Sequence, residues 1–145
     1  MPTHEEYMKA ALEAAKKGDL PYGAILVKNG KIKTTAYNTA QRDNDPTAHA
    51  EINALRHQIH LLGQYEPEIL NGYSLYTTCE PCPMCAAACA WTGISEIVFG
   101  ASIADLIGAG QPQISVPCET ITNQSFQSIK VTSSILAPEC LALFQ

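Results

Sequence analysis

The stretch Thr78-Cys79-Glu80-Pro81-Cys82-Pro83-Met84-Cys85 limits what this chain can fold into more than any other. Tyr73 to Thr78 is apolar and β-prone. An alanine-rich run, apolar nearly all round, follows to about Trp91. The stretch therefore joins a strand to a buried helix that starts at Pro81 or Cys82. Cys82 and Cys85, three apart in the first turn of that helix, face one point. The free N–H groups and positive dipole end of the turn favour thiolate over thiol. A second helix start lies upstream, where Asp43-Asn44-Asp45-Pro46-Thr47 reads as a loop entering a helix of about Ala48 to Leu62 that opens with His49-Ala50-Glu51.

Zinc in a catalytic site takes three protein ligands and keeps one position for water. His49, Cys82 and Cys85 supply that set. Glu51 is then the general acid/base. It takes a proton from a water that the metal acidifies toward a pKa of ~7 and passes it to a leaving nitrogen, giving a carbonyl and ammonia. On a regular helix positions 49 and 51 point roughly 200° apart, so this role requires both to sit in an irregular first turn. Singly, a core histidine, a solvated helix glutamate and a structural cysteine pair are all ordinary. Together, His-x-Glu and Pro-Cys-x-x-Cys, each opening a helix, are specific.

Cys79, Cys82, Cys85 and Cys89 also have the spacing of a four-iron ferredoxin run. Against that reading, Ala90 stands where such runs carry proline, Cys118 and Cys140 are isolated, and His49 and Glu51 are left without a role. His4, His57 and His60 carry no further signal.

The remaining elements are predicted in order. Thr3 to Glu6 forms a capping box for a helix over about 4–17, with Met8, Ala11, Leu12 and Ala15 inward and Gly18 as C-cap. Asn29-Gly30 is a hairpin turn between strands Tyr22–Val27 and Lys31–Tyr37. Ile52, Leu55, Ile59 and Leu62 form the apolar stripe of the second helix, stopped by Gly63. A fourth strand is predicted at Glu96–Phe99, a short helix at Ile103–Ala109, irregular chain to Gln127, a fifth strand at Ile129–Ser133 and a last helix at Glu139–Phe144. This is an α/β pattern in one domain spanning 1–145, a mixed sheet with helices on its faces.

Charge is uneven. Residues 1–56 carry eight Lys/Arg against seven Asp/Glu, whereas residues 57–145 carry one, Lys130, against seven. Nucleic-acid binding draws on basic side chains, so a nucleic-acid partner is disfavoured and a small neutral substrate is expected. No run reaches the ~20 apolar residues of a membrane span, and the polar start, Met1 to Glu6, lacks a signal core. The expectation is a cytoplasmic protein with reduced thiols.

At these residues the chain resembles the cytidine deaminase-like superfamily of zinc-dependent nucleobase and nucleoside deaminases. The resemblance covers about 5–110 and includes Pro21-Tyr22-Gly23-Ala24, Asn38, Asp45 to Glu51, Cys79 to Cys85 and Ile97 to Ala101. It implies a three-layer α/β/α sandwich around a five-stranded mixed sheet, a homodimer, one zinc per chain on His49, Cys82 and Cys85, and Glu51 as proton shuttle. It also implies Asn38, Ala50 and Trp91 as substrate-contacting positions. The cysteine motif looks more like bacterial guanine deaminases than tRNA adenosine deaminases, which typically have an aliphatic residue where Cys79 stands. A free purine base, guanine first, is the implied substrate, with a tRNA adenosine or a cytosine or nucleoside substrate as the alternative. The segment Gly110-Gln111-Pro112-Gln113 departs from the acidic and aromatic residues that guanine deaminases carry beyond the fourth strand.

Overall fold

A computed structural model describes residues 1–145. The hairpin is the one Asn29-Gly30 encodes: both residues have positive φ, +53° and +75°, as its tight turn requires. It joins β1 (Gly23–Lys28) to β2 (Lys31–Tyr37). The other strands are β3 (Ser74–Cys79), β4 (Glu96–Ala101) and β5 (Lys130–Thr132). Their order across the sheet is β2-β1-β3-β4-β5. β1 is antiparallel to β2 and β3, whereas β3, β4 and β5 run parallel. The parallel pair β3–β4 needs a helical crossover, which the helix after the cysteine motif supplies.

The helices are α1 (His4–Ala15), α2 (Ala50–Leu62), α3 (Pro83–Thr92), α4 (Ile103–Gly108), α5 (Cys118–Thr122) and α6 (Ala137–Ala142). Strand alternation divides the core in two. Ala24, Leu26, Leu75, Ile97 and Phe99 pack with Ala50, Ala54 and Leu55 of α2 and Ala86 and Cys89 of α3. Ile25, Val27, Tyr76 and Val98 pack with Tyr7, Met8 and Ala11 of α1, Leu106 of α4 and Cys140 of α6. The result is the expected three-layer α/β/α arrangement. Small residues bring the layers close: a Cβ at Gly23 would lie 2.2 Å from the Ala11 carbonyl oxygen. No helix is long and apolar enough to cross a membrane.

Several local expectations are corrected. α1 ends at Lys16 in the right-handed region, and Gly18 is not its cap. Glycine fits at 18 because a Cβ would lie 2.2 Å from the Leu20 carbonyl oxygen. The buried stripe of α2 is Ala50, Glu51, Ala54, Leu55 and Gln58, while Leu62 is 45% exposed. Two polar residues take the inward face, each for a reason of its own. Gln58 hydrogen-bonds Thr34 and Tyr73, and Glu51 reaches the cavity beside the cysteine motif. α5 falls in the stretch expected to be irregular. β5 is shorter than expected, and α6, of the expected length, starts and ends two residues earlier.

Candidate metal centre and its pocket

The two predicted helix starts meet. His49 and Cys82 are the N-cap residues of α2 and α3, with extended backbones at φ/ψ of −71°/157° and −65°/168°. An N-cap is normally filled by Ser, Thr, Asp or Asn, whose side-chain oxygen accepts from a free helix N–H. Neither His49 nor Cys82 makes such a bond, so both side chains are left for another partner. Pro83 at the start of α3 needs no N–H and carries a helix-ready φ. Because His49 lies outside the helix proper, the angular separation expected of a regular helix does not apply. His49 and Glu51 reach the same cavity.

The His49 Nδ1 atom lies 3.7 Å from the Cys82 sulfur and 3.6 Å from that of Cys85. All three donor atoms lie within 4.8 Å of one another. An ion held at ~2.0 Å from nitrogen and ~2.3 Å from sulfur with tetrahedral angles sets those atoms about 3.6 Å apart. The donor set and spacing therefore fit zinc. Cys79 ends β3 and Cys89 is buried in α3. Neither joins the cluster, and none of the six cysteines is in a disulfide. The four-cysteine ferredoxin arrangement is not assembled.

The path into His49 is fixed by side-chain hydrogen bonds. Asn53 Nδ2 donates to the Tyr37 carbonyl and to the Thr39 hydroxyl. Arg42 binds Asp19 through its backbone N–H and its Nε. Asp45 accepts from the backbone and hydroxyl of Thr47. Asn38, 4% exposed, turns its Oδ1 to the Ala40 N–H and keeps Nδ2 to donate.

Cys82 and Cys85 divide the proton demand. The Cys85 side chain, followed by His49, holds the Cys82 thiol down at about 4. The Cys82 sulfur and then burial push Cys85 up. The Cys82 sulfur likewise raises His49, against burial. Glu51 is 5% exposed, and burial pushes its carboxyl up to about 7 against the pull of its own backbone N–H. That places a proton-exchanging carboxylate beside the cluster near neutral pH.

The metal-free protein turns this into a pH dependence. Glu51 rises from 4.5 to about 7 on folding, so the folded chain holds more protons than the unfolded chain between those values, and this group's contribution to stability falls as pH rises through the window. Cys82 acts oppositely: its depressed value gives stability that is complete above its ordinary value of 9 and is lost as pH falls toward about 4. Comparison with Glu51→Gln isolates the first effect. Metal-free Glu51→Gln gains on metal-free wild type by up to ~3 kcal/mol between about pH 5 and 8, read from denaturant melts at each pH. A difference that stays constant across the range refutes the assignment.

A cavity of about 440 Å³ opens onto the cluster, within the ~300–1,000 Å³ range of small-molecule sites. His49, Glu51, Glu80 and Cys82 line it together with Leu20, Tyr22 and Asn38, and Pro112, Gln113 and Ile114 complete the rim. No lysine or arginine lines it. Tyr22 and the 112–114 segment are not among the expected site residues. Tyr22 stands in the sequence within Pro21-Tyr22-Gly23-Ala24 and Gln113 within the departing segment Gly110-Gln111-Pro112-Gln113, neither with a site role attached. Burial pushes the Tyr22 phenol up to about 12, so it stays protonated. Glu80 holds the rim in place: one carboxylate oxygen accepts from Ile103 N–H at 2.8 Å and the other from Cys118 N–H at 2.7 Å, at the starts of α4 and α5.

Of the expected substrate positions, Asn38 lines the cavity. Ala50 is fully buried among the core residues. Trp91 is 65% exposed on the outer side of α3, 5.5 Å from the Phe126 ring, and does not line the cavity of its own chain. It stands at the opposite end of α3 from Cys82 and Cys85, and its indole is spent at the surface.

The family model of the cytidine and deoxycytidylate deaminase zinc-binding region matches residues 1–101. The guanine deaminase of Bacillus subtilis (strain 168) is 39% identical over 112 residues, covering 74% of this chain and 70% of that protein. The tRNA-specific adenosine deaminase of Buchnera aphidicola subsp. Baizongia pistaciae (strain Bp) is 38% identical over 138 residues, covering 92% of this chain and 81% of that protein. A solved structure of a tRNA:A34 deaminase, studied for A-to-I editing at the wobble position of transfer RNA, superposes with a TM-score of 0.80 at 30% identity, covering 94% of this chain and 97% of that one.

Proposed function

We propose, from the premise that the chain belongs to the cytidine and deoxycytidylate deaminase zinc-binding family and is a zinc-dependent deaminase, that its substrate is a free aminopurine, guanine first. The observation that carries the reading is a buried carboxylate, Glu51, beside the His49–Cys82–Cys85 cluster in a cavity without a cationic wall. A flipped base of a folded RNA needs phosphate contacts around the cavity. Arg42 is tied to Asp19 and the Lys17 carbonyl, and Lys130, the one base after residue 56, faces Glu96. A small neutral substrate makes no such demand.

In this reading one domain over 1–145 acts in the cytoplasm as a homodimer, and its free cysteines suit a reducing compartment. Zinc, when bound, supplies a Lewis acid that makes water acidic near neutral pH. His49, Cys82 and Cys85 hold it. Glu51 takes a proton from the attacking water and returns it to the departing amine nitrogen, so a carbonyl forms and ammonia leaves. Asn38 Nδ2 donates to an acceptor on the base ring.

A second reading, tRNA adenosine deamination, is favoured by the near-complete span of the solved tRNA deaminase. An ammonia-release screen of guanine, adenine, cytosine, their nucleosides and an anticodon hairpin separates the two. Turnover of guanine with none of the hairpin is expected, and turnover of the hairpin alone overturns the choice.

A further inference from the structure

Tyr22 and Gln113 lie 91 positions apart in the chain and meet at the cavity, where Gln113 Nε2 donates to the Tyr22 hydroxyl at 2.9 Å. Neither side chain hydrogen-bonds anything else in the fold. Both are held in place independently. The Tyr22 ring packs edge-on against Phe144 at 5.1 Å. Gln113 is two residues beyond Gln111, whose N–H binds the Leu106 carbonyl, and lies in the segment whose ends Glu80 ties down.

A phenol that accepts one N–H still has its own O–H to give, and a carboxamide that gives one N–H keeps its oxygen to accept. With the roles exchanged, the phenol oxygen accepts and the amide nitrogen gives. In both arrangements the pair shows the cavity one donor beside one acceptor. The complementary ligand surface is a neighbouring C=O and N–H, the lactam edge of an oxopurine or oxopyrimidine.

We propose that Tyr22 and Gln113 act as one selectivity couple that reads this lactam edge. The proposal rests on the free-base reading above. In guanine the ring N–H adjoins the carbon that carries the amine and the carbonyl follows it, whereas adenine has no ring carbonyl. 2-Aminopurine keeps guanine's amine and lacks the carbonyl, so it isolates the edge from the reacting carbon. A pocket built to hydrogen-bond a group discriminates strongly against the analogue that lacks it.

The test is kcat/KM for guanine and for 2-aminopurine in wild type, Tyr22→Phe, Gln113→Met and the double variant, with zinc content and Tm measured alongside. Tyr22→Phe removes a single oxygen and leaves the Phe144 contact, so zinc content and Tm are expected to hold. The guanine to 2-aminopurine ratio is expected to fall about tenfold in each single variant and no further in the double variant, as for two groups acting as a unit. Equal losses on both bases, an unchanged ratio, or losses that multiply in the double variant overturn the couple while leaving the free-base reading intact. A wild-type protein inert on guanine overturns that reading and the couple with it.

Discussion

Glu51→Ala holds zinc at the wild-type level and loses about 10³- to 10⁴-fold in kcat, the upper range for removal of a general acid/base. The two halves of this result separate because the carboxylate is not part of the donor set. His49 Nδ1 and the two sulfurs close on one point without it. Glu51 contributes through burial, which raises its proton affinity into the neutral range. Glu51→Gln keeps the volume and one acceptor but cannot exchange a proton, so it fails to the same degree. Zinc by elemental analysis and ammonia by a coupled assay report both halves on one sample. Turnover within about tenfold of wild type in either variant ends the assignment.

Removing a donor atom has the second large effect. His49→Ala, Cys82→Ala and Cys85→Ala each drop zinc from about one per chain to a small fraction of that. Each also leaves two helix starts facing one another with no ion between them. The binding energy of a closed site is folding energy, and in a chain of this length a loss of a few kcal/mol lowers Tm by on the order of 10 °C. Cys79→Ala and Cys89→Ala are the contrast, since both thiols lie outside the cluster. They keep their metal and stay colourless. Loss of metal in all four cysteine variants with His49→Ala keeping its metal, or a brown protein absorbing near ~400 nm, restores the iron–sulfur reading.

The legible part of the molecule is the part where local chemistry and long-range placement agree. The Thr3 capping box, the Asn29-Gly30 turn and the Gly63 helix end are local rules obeyed locally. The ligand set is legible because cysteine and histidine at helix starts have few other uses in that combination. The inward face of α2 is not, because hydrophobicity alone puts Leu62 inside. The fold instead buries Glu51 and Gln58, whose value lies in partners the sequence does not display. α5 carries no periodicity of its own. It is set by Pro117 and by a carboxylate 38 positions away at Glu80. The rim of the cavity is hidden for the same reason: Gln113 matters only once Tyr22 is beside it.

Glu80 sits between two of the cysteines and grips the segment from Ile103 to Cys118 at both ends. The span it brackets is thus an interchangeable part mounted on a permanent fixture. Sequence drift there re-cuts the keyhole while the lock behind it stays bolted to the sheet. One scaffold of this kind lends itself to retooling for new substrates through exchange of that span, with the wall behind it inherited unchanged.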